Sequence, residues 1–110
     1  MPTARADKKD GNPLAGIDVV IHEPARLNIM TQLYVLESAD FLFLMRQTGL
    51  SFGNLSSHMS KLEDAGYVDV KKEFVGKKPH TTLSLTQKGR TAFRKYRNSM
   101  QQILDDLPDT

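Results

Sequence analysis

The residues best suited to chemistry lie between Ser51 and Thr86, and they are polar donors and cations. Leu55, Met59 and Leu62 recur at helical spacing, with Phe52 one turn earlier, so they form one apolar stripe of a helix that Ser51 can cap. At about 100° per residue, the opposite face carries a glycine, small polar side chains and a lysine, namely Gly53, Asn54, Ser57, Ser60 and Lys61, with His58 on its flank. Such groups can meet base edges and phosphates, although a solvated helix face has a similar composition.

A β-hairpin with a cationic tip is predicted after this helix. Apolar and polar residues alternate over 68–74 and 82–85, with Val68, Val70 and Phe74 on the half-buried side of the first strand. The strands flank residues 76–79, Gly-Lys-Lys-Pro, where glycine supplies turn freedom and proline restricts the return. Lys77 and Lys78 would project from this tip, either towards a polyanion or simply into solvent.

Positive charge is concentrated in the same part of the chain. The whole sequence has a formal net charge of +2. Residues 46–98 hold eleven basic and four acidic residues, a net +7, and the remainder holds four basic and nine acidic residues, a net −5. This asymmetry favours a polyanion as the partner.

The sequence also limits the function classes. Its 110 residues fit one domain, and the absence of cysteine excludes a disulfide scaffold, a thiolate metal site and a thiol nucleophile. Ser57 and His58 are adjacent on the predicted helix and therefore diverge by about 100°, which does not build a catalytic pair. His22, His58 and His80 share no ligand spacing, so neither an enzyme nor a metal or cofactor site is expected. Without an apolar membrane span or signal core, a cytoplasmic location is the default expectation.

Further elements are predicted around the polar helix. Residues 1–16 contain almost no apolar side chains and are expected to be a mobile tail. Residues 17–22 fit either a helix or a strand. Pro24 introduces a helix over 25–36, and Asp40 can cap a second helix over 41–48 that Gly49 ends. The short connection to Ser51 then predicts a helix-turn-helix.

Two phrases give this chain a family resemblance. LEDAGYV at 62–68 ends the polar helix, with Gly66 as its left-handed stop, and enters the hairpin, and LTQKGR at 85–90 leaves the hairpin and opens the last helix. With the GKKP tip, they resemble the winged helix-turn-helix of small MarR/ArsR-type transcriptional regulators over roughly residues 17–107. The fold class expected is mostly α with a small β-hairpin, in the order α-α-α-β-β-α.

The resemblance implies roles for particular residues. The helix over about 51–65 would lie in the major groove of double-stranded DNA, and the tip at 76–79 would lie on the backbone or in the minor groove. The DNA-binding residues expected on this basis, together with the polar face described above, are Ser51, Gly53, Asn54, Ser56, Ser57, His58, Ser60, Lys61, Lys77 and Lys78. Sensing of metals through thiolates is not expected, and residue types do not identify a small-molecule effector.

A long amphipathic helix over 87–107 is predicted after Thr86, with Pro108 as its stop. Its apolar stripe exceeds what the small domain beneath it can cover. The residues assigned to dimerisation are therefore Tyr96, Met100, Ile103, Leu104 and Leu107. The alternative is that this helix folds back over the first helix of its own chain.

The leading hypothesis is a homodimeric, sequence-specific DNA-binding transcriptional regulator. The alternative is a winged-helix adaptor that binds proteins and not DNA. An adaptor would need an exposed apolar patch and would not need the +7 segment, so the charge distribution favours the regulator.

Overall fold

The computed structural model describes residues 12–109. Its elements are α1 (Pro24–Leu36), β1 (Ser38–Asp40), α2 (Phe41–Thr48), α3 (Phe52–Asp64), β2 (Val68–Val75), β3 (Lys78–Leu85) and α4 (Gln87–Asp105). The predicted winged-helix architecture is confirmed, with one strand, β1, added between the first two helices. Of the expected tail, residues 1–11 lie outside the described part, and 12–16 form a turn.

Residues 17–22 are neither helix nor strand but a chain of turns leading into α1. The Asp18 carboxylate accepts hydrogen bonds from the backbone amides of Val20 and Ile21, at 2.9 and 3.2 Å. This local bonding gives the backbone an alternative to a helix or a strand. It also directs Ile21 into the core, where its side chain is fully buried.

The two helices of the helix-turn-helix begin and end where their caps predict. The Asp40 carboxylate accepts from the amide of Phe43 at 2.8 Å and opens α2, and the Ser51 hydroxyl accepts from the amide of Asn54 at 3.2 Å and opens α3. Between them Gly49 has φ 73°, a left-handed conformation that favours glycine. These contacts hold α2 and α3 in a fixed, short connection.

A three-stranded antiparallel sheet has the strand order β1-β3-β2. In the wing, Val68 pairs with Leu85 and Val75 pairs with Lys78. On the other edge of β3, Ser38 pairs with Ser84. Three residues of β1 have no periodicity of their own, which is why the sequence did not reveal this strand.

One core joins the helices to the sheet. Its best buried side chains come from the turn before α1, from α1, α2 and α3, and from β2 and β3: Ile21, Ile29, Met30, Leu33, Leu44, Leu55, Leu62, Val68 and Leu83.

Two phenylalanines that were expected on buried faces are exposed. Phe52, placed one turn before Leu55 on the apolar stripe, occupies the first turn of α3 and is 66% exposed, with its ring centroid 5.0 Å from that of Phe41. Phe74 is 74% exposed, because the wing extends beyond the core.

The last helix, α4, is partly covered by its own chain. Phe93 packs on Tyr34 of α1 with ring centroids 5.1 Å apart, and Tyr96 is buried with its hydroxyl 2.8 Å from Nδ1 of His22. The first half of α4 therefore folds back over α1 of its own chain. Tyr96 was expected to extend the apolar stripe beyond the core, but it is buried. Leu104 and Leu107, by contrast, are 57% and 59% exposed. Among residues 12–109, no helix is both long and apolar enough to cross a membrane.

Candidate nucleic-acid interface

Helix α3 buries one face and presents the other to solvent. Leu55, Met59 and Leu62 lie in the core. Of the residues predicted to bind DNA at this helix, the structure leaves exposed Ser51, Gly53, Asn54, Ser57, Ser60 and Lys61, whereas Ser56 and His58 are half-buried. The exposed set forms a surface without large apolar groups, which lets a helix approach base edges closely. We call this set the polar face of α3.

His58 is turned from that face towards the start of α1. Its Nδ1 lies 3.1 Å from Nη1 of Arg26 and 3.8 Å from a carboxylate oxygen of Glu23. Arg26 is itself held by a 2.6 Å hydrogen bond from its Nε to the carbonyl of Val20. The hydrogen bond from the Arg26 amide, which outweighs the opposing effect of burial, lowers the pKa of Glu23. This cluster ties α3 to the segment before α1 and so orients the polar face.

The wing carries a second group of exposed cations. Its turn is tighter than expected, because Lys78 and Pro79 already belong to β3 and only Gly76 and Lys77 connect the strands. Gly76 has φ 66°, which a side chain would strain. Among the described residues, no carboxylate lies within 4.0 Å of the Lys77 or Lys78 ammonium group. Both charges are therefore open to a polyanion.

The joint between α3, the wing and α4 depends on a glycine whose role sequence reasoning missed. Thr86 caps α4 by accepting from the amide of Gly89 at 2.9 Å, and its hydroxyl donates to the carbonyl of Gly66 at 2.7 Å. At Gly89, an added Cβ would overlap the carbonyl oxygen of Tyr67 and lie 2.9 Å from its carbonyl carbon. Only glycine lets α4 approach the chain leaving α3 this closely. The LTQKGR phrase contains this glycine, but the need for glycine at position 89 comes from its contact with Tyr67, which is distant in the sequence.

A hollow of about 500 Å³ lies between the turn at 16–18, Tyr67 and α4. The Tyr67 hydroxyl donates to the Asp18 carboxylate at its wall. Burial first, and then this carboxylate, raise the pKa of Tyr67 to about 12. The sequence did not reveal the hollow, because its lining comes from separate segments. No group of three or more His, Asp or Glu residues that could hold a metal occurs within 12–109.

Comparisons with known proteins agree with this geometry. The model of the family described as "Winged helix DNA-binding domain" matches residues 25–104. An uncharacterised protein of Methanocaldococcus jannaschii is 34% identical over 88 residues, which cover 80% of this chain and 96% of that protein.

Solved structures share the fold. A transcriptional regulator homologue from Pyrococcus horikoshii OT3 superposes with a TM-score of 0.78 at 26% identity, covering 91% of this chain and 99% of that one. A MarR-family regulator from Enterococcus faecalis V583 superposes with a TM-score of 0.62 at 19% identity, covering 97% of each chain. These likenesses confirm that the chain shares the fold of MarR-type regulators, as the resemblance predicted, and the chain belongs to the family of winged helix DNA-binding domains.

Proposed function

We propose that the protein is a homodimeric transcriptional regulator that recognises a specific sequence in double-stranded DNA. The observation that carries this proposal is the exposed polar face of α3 beside a wing with free cations. Helix α3 keeps its apolar stripe in the core, so its polar face has no large apolar group that would block entry into a major groove. The net +7 of residues 46–98 supplies the attraction to phosphates.

The two parts of the interface have different roles. Asn54, Ser57 and Ser60 offer amide and hydroxyl groups that can read base edges, and Lys61 can reach a base or a phosphate. Ser51 and Gly53, at the start of α3, leave room for the backbone to approach. Lys77 and Lys78 contact the backbone or the minor groove and contribute affinity rather than sequence preference.

Two further residues of the expected set take a supporting role in this proposal. Ser56 is half-buried, and the Nδ1 of His58 already faces Arg26 and Glu23. In this proposal Ser56 and His58 mainly hold α3 in its orientation, and only their exposed atoms contact DNA.

The end of α4 supports a dimer. Leu104 and Leu107 are more than half exposed, and Ile103 and Met100 continue the same stripe towards the core. Burying this stripe against a second copy removes apolar surface from water, at about 25 cal/mol for each Å². A two-fold pair would present two copies of α3 to half-sites about one helical turn, roughly 34 Å, apart.

The experiment that tests the proposal is selection of bound duplexes from a random pool. We expect a pseudo-palindromic consensus whose half-sites are one turn, or a multiple of one turn, apart. A parallel selection with Asn54→Ala plus Ser57→Ala should give a consensus that is weaker at the positions α3 reads. Failure of the wild-type protein to enrich any sequence, with no retention of DNA at low salt, would favour the protein-binding adaptor instead.

A further inference from the structure

The outer half of the wing exposes an apolar pair that the proposed contacts do not use. Phe74 is 74% exposed, and Pro79 lies directly opposite it in the antiparallel register. Neither side chain is needed for the core, which ends at Val68 and Val70 on the same strand. The exposed ring of Phe74 leaves apolar surface in water that a contact partner can bury.

This pair lies on the same face of the sheet as the residues that pack under α3. Side chains alternate along a strand, so Phe74 shares a face with Val68 and Val70, and Pro79 shares it with Leu83. Val68 and Leu83 are buried in the core together with the apolar stripe of α3. At about 3.3 Å per residue, Phe74 lies roughly 13 Å along the strand from Val70, the last residue of β2 that packs against the core. The wing thus continues the α3 side of the molecule with an apolar tip.

Cations frame the tip. Lys72 lies on the same face as Phe74, and Lys77 and Lys78 follow at the turn. The nearby Glu73 carboxylate is 3.5 Å from the ammonium of Lys71, which offsets its charge. An apolar ring surrounded by lysines is poorly matched to an ordinary protein surface. It is well matched to a groove with phosphates on both sides and stacked bases at its floor.

We propose that Phe74, backed by Pro79, is an apolar wedge that enters the minor groove beside the major groove occupied by α3. Phenylalanine and proline are among the side chains that insert between base steps from the minor groove, where they unstack the step and kink the duplex. Flexible pyrimidine–purine steps resist such deformation least. The wing therefore adds sequence preference through DNA deformability. This inference rests on the proposed function, since it requires α3 to bind DNA.

The test uses duplexes recovered by selection, with 2-aminopurine placed at one flanking step at a time. The wild-type protein should raise the fluorescence at one symmetric pair of steps, because unstacking relieves quenching. It should also bend the duplex in a circular-permutation gel assay. Phe74→Ala should abolish both signals and weaken binding roughly a hundredfold, about tenfold for each of the two rings that the dimer loses, the order found when an aromatic ring stacked on a base is removed. The salt dependence should stay the same, because no charge is removed.

Two variants serve as controls. Phe74→Leu should keep part of the bend, since leucine also acts as a wedge. Val75→Ala should change neither fluorescence nor bending, because Val75 is 60% exposed on the same strand but points to the other face. Circular dichroism and melting temperature should match the wild type for all three variants.

Three results would overturn the wedge while leaving DNA binding intact. Phe74→Ala could keep both the affinity and the fluorescence signal. It could bind more weakly while unstacking and bending the duplex as the wild type does, in which case the ring contacts only sugars. It could change the sedimentation of the free protein, which would assign the ring to a protein contact. Absence of any bound duplex with the wild-type protein would overturn the wedge together with the proposed function.

Discussion

Removing the charges of the wing tip should change how DNA binding depends on salt. Lys77 and Lys78 are exposed, and no carboxylate of residues 12–109 lies within 4.0 Å of either ammonium group. Each is therefore free to neutralise a phosphate. Lys77→Ala plus Lys78→Ala should weaken binding to every duplex, whether or not it carries the selected sequence.

The magnitude follows from counterion release. Each phosphate contact contributes about 0.9 to the slope of log K against log salt concentration. A dimer has two wings and four such lysines, so the double substitution should make the slope less steep by about 3.6 if all four bind a phosphate. Between about 50 and 200 mM salt, the affinity of the wild-type protein should then fall roughly 150-fold more than that of the variant.

Fluorescence anisotropy with a labelled duplex at several salt concentrations measures this slope. Lys77→Arg plus Lys78→Arg is the matched control, because it keeps both charges and should keep the slope. Asn54→Ala or Ser57→Ala should instead reduce discrimination by about 1 to 3 kcal/mol for each base that the side chain no longer reads, with little change in slope. A lysine variant with an altered sequence preference and an unchanged slope would refute the division of roles between the wing lysines and α3.

Three further predictions concern the fold and the assembly. In a denaturant titration, Gly89→Ala should lower the free energy of unfolding by roughly 1 to 3 kcal/mol, the usual cost of overpacking. The control Gly53→Ala should raise the free energy of unfolding by about 0.5 to 1 kcal/mol, because its added methyl group meets nothing within 4 Å. The pKa of Tyr67 is raised from 10.0 to about 12, so its contribution to stability is complete below pH 10 and lost as the pH rises through 12. Wild-type stability should therefore fall more steeply than that of Tyr67→Phe over this window, and parallel curves would contradict the assignment. Met100→Asp plus Leu104→Asp should sediment as a folded monomer that binds operator weakly, whereas a wild-type chain that is monomeric at micromolar concentration would exclude the proposed dimer.

The elements that the sequence predicted best are those set by local chemistry. Asp40 and Ser51 cap their helices through amides three residues ahead, and Gly49 and Gly66 adopt the left-handed conformations that end them. These interactions involve neighbours in the chain, so residue type and spacing are sufficient to infer them. The polar face of α3 was predictable for the same reason, because helical periodicity alone decides which residues oppose Leu55.

The features that were missed depend on contacts between distant segments. Strand β1 exists because Ser38 and its neighbours pair with β3, which lies far along the chain beyond α2, α3 and β2. Alternation along β2 placed Phe74 on the correct face, but only the extent of the core decides that it is exposed. Tyr96 continues the stripe of α4 in sequence, and its burial follows from the loop before α1 that brings His22 against it.

A hydroxyl-radical footprint on the selected duplex tests the central claim most directly, that two copies of α3 read DNA as a two-fold pair. We expect two protected regions on one face of the duplex, with centres about 34 Å or a multiple of about 34 Å apart, and wing protection displaced outward by part of a turn. A single protected region, or protection that does not depend on sequence, would contradict it.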